Sequence, residues 1–411
     1  MRRDDWTKIL GWPGYTVYQH EIDEKAKRLK LWVRRKRGNR RLICSGCGRK
    51  IDEPADVTER EVRDLPCFEY LTTVVIELYR VRCPDCGLKI EKVEQLPSKA
   101  PFSKRFEEAV GQACESASAR RVAKQFGLAQ STVRAIDLRY LERWNAARKK
   151  PALRQMGVDE IFLGKKTKFV TVVSNLETVE PLWFGLERKK ETLDEFFRTE
   201  LSARQRQRIE AACVDMWEPF TTSIEEWAPN CAIVYDKFHI MQHANRAVDE
   251  VRRAEFFRKG GPMRDVVKGK RWLLLTRWVN LTEAKQQQLN QLFSLNRKLM
   301  KAYLLKESLD RLWNYVYEGA MLRYFKSWTL QLRWQRLPAF EKLANMLVDH
   351  LDGILNYCRV KVRFGVVEAI NGNIKTLVRR GRGYKNLRYL LLKAQRMAAT
   401  KTEFVAFRKA A

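Results

Sequence analysis

Residues 156–187 read MGVDEIFLGKKTKFVTVVSNLETVEPLWFGLE, and the fold of the chain turns on them. MGVDEIFLG (156–164), KFVTVVSNL (168–176) and VEPLWFGLE (179–187) are rich in Val, Ile, Leu and Phe and are separated only by short polar turns. Such runs predict strands. Turns this short join antiparallel neighbours, because a parallel pair needs a crossover of about a dozen residues or more. Beyond them the pattern alternates. A helix is expected over 191–205, then a strand RIEAACVD (208–215) and a helix WEPFTTSIEEW (217–227), then a strand CAIVYD (231–236) and a helix FHIMQHANRAVDEVRRAEFF (238–257).

Three antiparallel strands followed by alternating helix and strand is the order of a ribonuclease-H-like α/β core. Residues 241–355 then read as almost wholly helical, and their tryptophans Trp272, Trp278, Trp313 and Trp328 are expected to be packing residues. The chain returns to the core with VVEAINGNIK (366–375). The expected fold class is therefore multidomain α+β. Its parts are an N-terminal basic segment (1–41), a zinc ribbon (42–97), a helix-turn-helix domain (98–150), the first part of the core (151–240), an all-helical insertion (241–355), and the final core helix with a basic tail (356–411).

Three acids fall where catalysis would want them. Asp159 lies in the first strand, Asp215 closes the run AACVD, and Glu368 opens the returning helix. Two strand-borne aspartates and a helix-borne glutamate can hold two Mg²⁺ or Mn²⁺ ions against a scissile phosphate. Asp236 competes with Asp215 for the second position. Neighbouring strands lie about 4.8 Å apart, which puts Asp215 beside Asp159 and Asp236 on the rim, about 10 Å away. Glu368, Asn371, Lys375 and Arg379 recur every three or four residues and share a helix face, where Asn, Lys and Arg can hold phosphates or simply form a solvated surface. His239 follows Asp236 by three and is a candidate contact to a phosphate or leaving oxygen. No glutamate follows His239 as an H-E-x-x-H metalloprotease site requires, and His243 reads as a helix-packing histidine.

Composition supports a polyanionic partner. The 411 residues include 80 Lys and Arg against 49 Asp and Glu, a net charge of +31, which favours nucleic acid. No apolar run is long enough to span a membrane, and the N-terminus MRRDDWTKILGWPGY lacks the features of a secretory signal. Nine cysteines without such a signal point to metal ligation and reduced thiols, and the expected location is the bacterial cytoplasm, in association with the nucleoid.

The N-terminal third carries two binding motifs. Leu29, Leu31 and Val33 alternate with Arg28, Lys30 and Arg34 about Trp32, a half-buried strand that suits a charge-protected edge or phosphate contact equally. Cys44, Cys47, Cys83 and Cys86 form two C-x₂-C pairs, each followed by a glycine, and offer Zn²⁺ four thiolates. Cys67, Cys114, Cys213, Cys231 and Cys358 lack such pairing and read as buried apolar residues. Helices are expected over Phe106–Ser116 and Arg120–Phe126, with a break at Gly127 and a third helix capped by Ser131. A short helix, a glycine turn and a basic helix match a helix-turn-helix, with Arg120, Arg121, Lys124, Ser131, Thr132, Arg134 and Arg139 as candidate DNA contacts.

Taken together, CSGCG, CPDCG, RRVAKQFGLAQSTVRAID, GVDE, VDMW, YDKFHIMQHANRAVDEVRR and EAINGNIKTLVRRGRGY resemble the ISL-three family of insertion-sequence transposases over nearly the whole chain. The resemblance implies a DDE triad on a ribonuclease-H-like core, interrupted by a helical insertion before the glutamate. Matched to this sequence, the triad is Asp159, Asp215 and Glu368, and the D-x-x-H of related groups falls on Asp236 and His239. The expected function is binding of terminal inverted repeats, cleavage at the element ends and joining of the 3′-hydroxyl to target DNA, by a homodimer or higher oligomer. The alternatives are a catalytically silent DNA-binding regulator and a nuclease of the same fold that does not transfer strands.

Overall fold

The computed structural model describes residues 3–37, 41–97, 99–164, 168–258 and 260–400; the basic tail expected at the C-terminus lies mostly outside them. The chain divides after Arg148 into two compact units, each with cores of its own.

The first unit opens with α1 (Arg3–Leu10), β1 (Tyr15–Asp23) and β2 (Arg28–Arg35). The tiny strands β3 (Leu42–Ile43) and β4 (Lys50–Ile51) follow, then β5 (Pro54–Arg63), β6 (Leu71–Cys83) and β7 (Gly87–Ile90). The expected alternation in β2 is present: Leu29, Leu31 and Val33 point into a core with Trp6, Trp12, Val74 and Ile76. β2 pairs in parallel with β6, and the sheet runs β1-β2-β6-β5 with β7 also on β6. Residues 15–35 are thus part of the same sheet as the strands of the ribbon. Buried Asp64, at the end of β5, accepts from Trp12 Nε1 at 3.0 Å, Ser103 Oγ at 2.6 Å and Arg105 Nε at 2.7 Å, which ties the sheet to the helices that follow.

Those helices are α2 (Lys104–Ser116), α3 (Ala119–Phe126) and α4 (Gln130–Ala147). Ser103 and Ser118 cap the first two through their side chains, and α3 ends at Gly127 as expected. Ser131 is not the cap of α4. The cap falls two residues earlier, at Ala129, whose carbonyl accepts the Val133 N–H and whose methyl side chain can make no cap bond.

The second unit is built on a sheet of order β10-β9-β8-β11-β12, made of β8 (Gln155–Gly164), β9 (Lys168–Asn175), β10 (Glu180–Leu186), β11 (Ala211–Val214) and β12 (Ala232–Tyr235). β8, β9 and β10 pair antiparallel, and β11 runs parallel to both β8 and β12. The helix expected over 191–205 is two: α5 (Lys190–Glu200), then α6 (Ala203–Arg206), which starts at a capping box on Ser202. α7 (Glu218–Trp227) joins β11 to β12, and its Phe220 and Ile224 pack with Phe196 and Phe197 of α5 on Met156, Val158 and Val214. The opposite sheet face carries α16 (Val366–Gly381) and α17 (Leu387–Thr400), with Ile370, Ile374 and Leu390 on Ile161 and Val172. Because side chains alternate along a strand, Gly157 and Asp159 face α16 while Met156 and Val158 face α5 and α7.

Between β12 and α16 the chain is helical, as expected: α8 (Lys237–Arg258), α9 (Gly260–Val267), α10 (Arg271–Leu275), α11 (Glu283–Leu295), α12 (Arg297–Asp310), α13 (Glu318–Leu332), α14 (Pro338–Asp349) and α15 (Leu351–Val360). These share one core, which includes Ile240, Leu289, Tyr303, Trp328 and Ile354. Trp313 and Trp328 are buried and Trp278 half-buried, as expected, but Trp272 is 71% exposed, so it is not a core residue. The α10 helix that carries it is five residues long and buries only Leu273 and Leu274. Among the described residues no helix is long and apolar enough to cross a membrane.

Candidate active site

The strand ends decide the geometry. Cys213 and Val214 of β11 lie in register with Gly157 and Val158 of β8, so Asp215, the next residue, leaves the sheet beside Asp159. Val214 is in turn opposite Tyr235, so Asp236 leaves β12 at the same level. Glu368 sits in the first turn of α16, above them. That helix approaches β8 closely at Gly157: a Cβ there would lie 2.7 Å from Val367 Cγ2 and 2.8 Å from Leu176 Cδ2. A missing side chain two residues before Asp159 is therefore what lets the helix bearing Glu368 dock.

The polar contacts link these elements. Asn371 of α16 donates to Asp159 Oδ2 at 2.7 Å, and Glu160 N–H donates to Oδ1 at 2.8 Å. His239, in the first turn of α8, stands between the two aspartates, with Nε2 3.8 Å from Asp159 Oδ1 and Nδ1 3.8 Å from Asp215 Oδ1. Met216 N–H donates to Asp215 Oδ1 at 2.7 Å, and Arg188 Nη2 lies 3.3 Å from Oδ2. Phe238 N–H donates to Asp236 Oδ1 at 2.8 Å. Lys375 and Arg379 are exposed on α16, beyond Asn371.

One expectation about this cluster is corrected. Asp236 is not on the rim: it is 3% exposed, and its charge is felt by Glu368 more than that of any other acid. Strand order speaks of distance across the sheet and not of exposure: Asp236 follows Tyr235 on the sheet face that also carries Asp159 and Asp215, and it is buried there.

Electrostatically the site is an excess of acid in a largely buried place. Burial raises the carboxyls of Asp159, Asp236 and Glu368 above the usual range. His239 and backbone N–H groups pull the other way, and the neighbouring acids add to the rise. Glu160 is pushed up to about 7, chiefly by burial, although Arg188 opposes it. Both oxygens of Glu368 are buried with no hydrogen-bond partner among the described residues. A set of hard oxygen donors with orphaned lone pairs is what Mg²⁺ or Mn²⁺ accepts. No three of these acids and His239 lie mutually within 4.8 Å, a crowding that among the described residues only the four thiols described below reach.

Three residues here had no sequence signal of their own: Glu160, Arg188 and Trp217. Arg188 follows β10, pairs with Glu160 Oε1 at 2.9 Å and lies 4.3 Å from the Trp217 ring centroid. Only the adjacency of Glu160 to Asp159, and of Trp217 to Asp215, hinted at a place near the site.

In the first unit, Cys44, Cys47, Cys83 and Cys86 bring their Sγ atoms within 4.8 Å of one another. The glycines after each pair, Gly48 and Gly87, have φ of 78° and 69°, the left-handed turn expected of them. Backbone N–H groups hold the Cys44 thiol down to about 7, while its neighbours push Cys86 up to about 12. Four thiols in mutual conflict over protons fit a tetrahedral Zn²⁺ site. Cys114 and Cys213 are buried as expected, whereas Cys67, Cys231 and Cys358 are only half-buried.

On the helix-turn-helix, Arg120, Arg121, Lys124, Ser131 and Arg134 are exposed and Thr132 half-exposed, a basic face around the turn. Arg139 is not free to join it. Its Nε donates at 2.9 Å to Glu107, a fully buried carboxylate on α2 that Arg143 also reaches at 2.7 Å. That pairing joins α2 to α4 over a separation the sequence pattern does not reveal.

Residues 156–394 match the ISL3 DDE family model described as a transposase. Residues 91–141 match the helix-turn-helix domain of transposase family ISL3, and residues 40–86 match the zinc-finger of transposase IS204/IS1001/IS1096/IS1165. The chain is similar to the transposase for insertion sequence element IS1001 of Bordetella parapertussis, 32% identical over 390 residues, which cover 93% of this chain and 95% of that one. It is also similar to the transposase for insertion sequence element IS1557 of Mycobacterium tuberculosis, 25% identical over 85% of this chain and 84% of the relative. With its DDE region, helix-turn-helix and four-cysteine ribbon all matched, the chain belongs to the ISL3 family of insertion-sequence transposases.

Proposed function

We propose that this chain is a catalytically competent DDE transposase, which cleaves at the ends of an insertion sequence and joins the freed 3′-hydroxyl to target DNA. The observation that carries the reading is the convergence of Asp159, Asp215, Asp236 and Glu368 at one end of a sheet of order β10-β9-β8-β11-β12, beneath a helix docked at Gly157. We read that sheet as a ribonuclease-H-like core interrupted by the insertion of residues 241–355.

Asp159, Asp215 and Glu368 would hold two Mg²⁺ or Mn²⁺ ions, whose presence supplies charge neutralisation at the phosphate and an activated oxygen nucleophile. Asn371 holds Asp159 by its Oδ2 and keeps that carboxylate aimed into the site. Buried Asp236 adds negative charge beside Glu368 and favours cation uptake. His239, 3.8 Å from both aspartates, is placed to donate to a phosphate or leaving oxygen between them. Exposed Lys375 and Arg379 continue the face of α16 outward as a track for the DNA backbone. Recognition of terminal inverted repeats falls to the ribbon and to the helix-turn-helix, through Arg120, Arg121, Lys124, Ser131, Thr132 and Arg134. Because two ends are joined in one event, the working form is a homodimer or higher oligomer on DNA.

Incubating the zinc-loaded protein with labelled end DNA, target plasmid and Mg²⁺ tests this reading. Joined products are expected. Binding without cleavage would instead indicate a silent regulator, and cleavage without joining a nuclease.

A further inference from the structure

Arg188 is the guanidinium of the acidic cluster, and its placement is built in three ways. Its backbone is aimed by Glu187, a non-glycine residue at φ 72°, whose carbonyl accepts from Thr171 Oγ1 at 2.7 Å and whose N–H donates to Phe169 carbonyl at 3.0 Å. A left-handed non-glycine residue is strained and persists only where the surroundings hold it. The guanidinium then lies on the Trp217 ring at 4.3 Å and pairs through Nη1 with Glu160 at 2.9 Å. Its remaining arm, Nη2, rests on Asp215 Oδ2 at a looser 3.3 Å.

The two aspartates are therefore held by different kinds of donor. Asp159 takes a neutral amide from Asn371, which leaves its charge unspent. Asp215 takes a cation, and a second cation on the same carboxylate would meet Arg188 as a like charge at close range. Arg188 and a divalent ion thus compete for Asp215. Glu160 and Trp217 anchor the guanidinium independently of that contact, so losing it does not release Arg188 from the site.

We infer that Arg188 is a shared guanidinium: it neutralises Asp215 in the metal-free protein and turns Nη2 to a non-bridging oxygen of the scissile phosphate when Asp215 is engaged elsewhere. The planar fork suits the task, with one arm on Glu160 and the other on phosphate. This rests on the two-metal reading above and adds a positioning and phosphate-binding residue to it.

The test separates the two roles by sign. Mn²⁺ binding to the zinc-loaded, DNA-free protein is followed by electron paramagnetic resonance for wild type, Arg188→Ala, Arg188→Lys and Asp159→Asn. End joining is measured in parallel at saturating Mg²⁺. Arg188→Ala is expected to bind Mn²⁺ about five-fold more tightly, the low end of typical site–site couplings. It should join ends about 10²-fold more slowly, the loss typical of one charge-stabilising donor. Arg188→Lys should keep the wild-type Mn²⁺ affinity and recover part of the rate. Weaker Mn²⁺ binding together with slower joining in Arg188→Ala would mark a structural role and overturn the proposal, as would no change in either. If wild type and Asp159→Asn bind Mn²⁺ alike, the two-metal reading itself falls, and this proposal with it.

Discussion

Replacing Gly157 with alanine should disable the site without touching a single polar group. The added Cβ would lie 2.7 Å from Val367 Cγ2 and 2.8 Å from Leu176 Cδ2. Carbon atoms in contact sit about 3.5–4.0 Å apart, so α16 must retreat by about 1 Å or both neighbours must leave their rotamers. Overpacking of this kind costs about 1–3 kcal/mol, which a unit of this size tolerates. Catalysis is less tolerant, since a displacement of about 1 Å can cost about 10²-fold in rate. The affected residue is Glu368, adjacent to Val367 on the same turn of α16. The assay is single-turnover cleavage of end DNA in Mg²⁺, with end binding and thermal unfolding as controls. Cleavage should fall about 100-fold with end binding within about two-fold of wild type, because the helix-turn-helix belongs to the other unit. Val367→Ala in the Gly157→Ala background removes the nearer contact and should restore at least ten-fold, an interaction a double-mutant cycle isolates. Wild-type cleavage by Gly157→Ala would refute the claim that close docking of α16 places Glu368. So would a double variant no better than the single.

Cys44→Ser, or stripping the protein with a zinc chelator, should unfold the ribbon and weaken end binding more than ten-fold, and unchanged zinc content in the variant would contradict the ligand assignment. Glu107→Gln keeps one acceptor oxygen but removes the buried charge that Arg139 and Arg143 share, and should lower stability by about 1–3 kcal/mol, read by denaturant unfolding. Arg134→Ala, on the exposed face, should weaken end binding and reduce the slope of log affinity against log salt by about one, with stability unchanged. Glu160 has its folded pKa raised from 4.5 to about 7, so the folded state holds a proton that the unfolded state gives up. Its contribution is present below about pH 4.5 and lost as pH rises to about 7. The metal-free protein should therefore melt at a lower temperature at pH 8 than at pH 5.5, and Glu160→Gln should flatten that dependence.

Much of the second unit was legible because strands write themselves plainly. The runs 156–164, 168–176 and 179–187 became β8, β9 and β10, and Asp159 and Asp215 emerged side by side because β8 and β11 are neighbours in register. Asp236 was put on the rim because strand order measures distance across the sheet and not exposure, and Asp236 is buried. Arg188 carries no local signal, since its aim depends on the left-handed Glu187 and on a ring contributed by the turn after β11. Arg139 looked like a DNA contact because a basic residue on a recognition helix is indistinguishable in sequence from one paired across a helical hairpin. Trp272 shows the reverse error, since a tryptophan among leucines was read as core where the short α10 leaves it outside.

Asp159 is proposed to belong to a metal-dependent catalytic set that acts on DNA ends. Asp159→Asn keeps the shape of the side chain and an oxygen for the contact with Asn371 while removing the charge. Purified wild-type and variant protein, matched for zinc content, are given labelled end DNA, target plasmid and Mg²⁺, and both end binding and joined product are measured. Equal end binding is expected, with joined product lost in the variant because the metal-ligating charge is gone. Joined product from Asp159→Asn at the wild-type rate would contradict it.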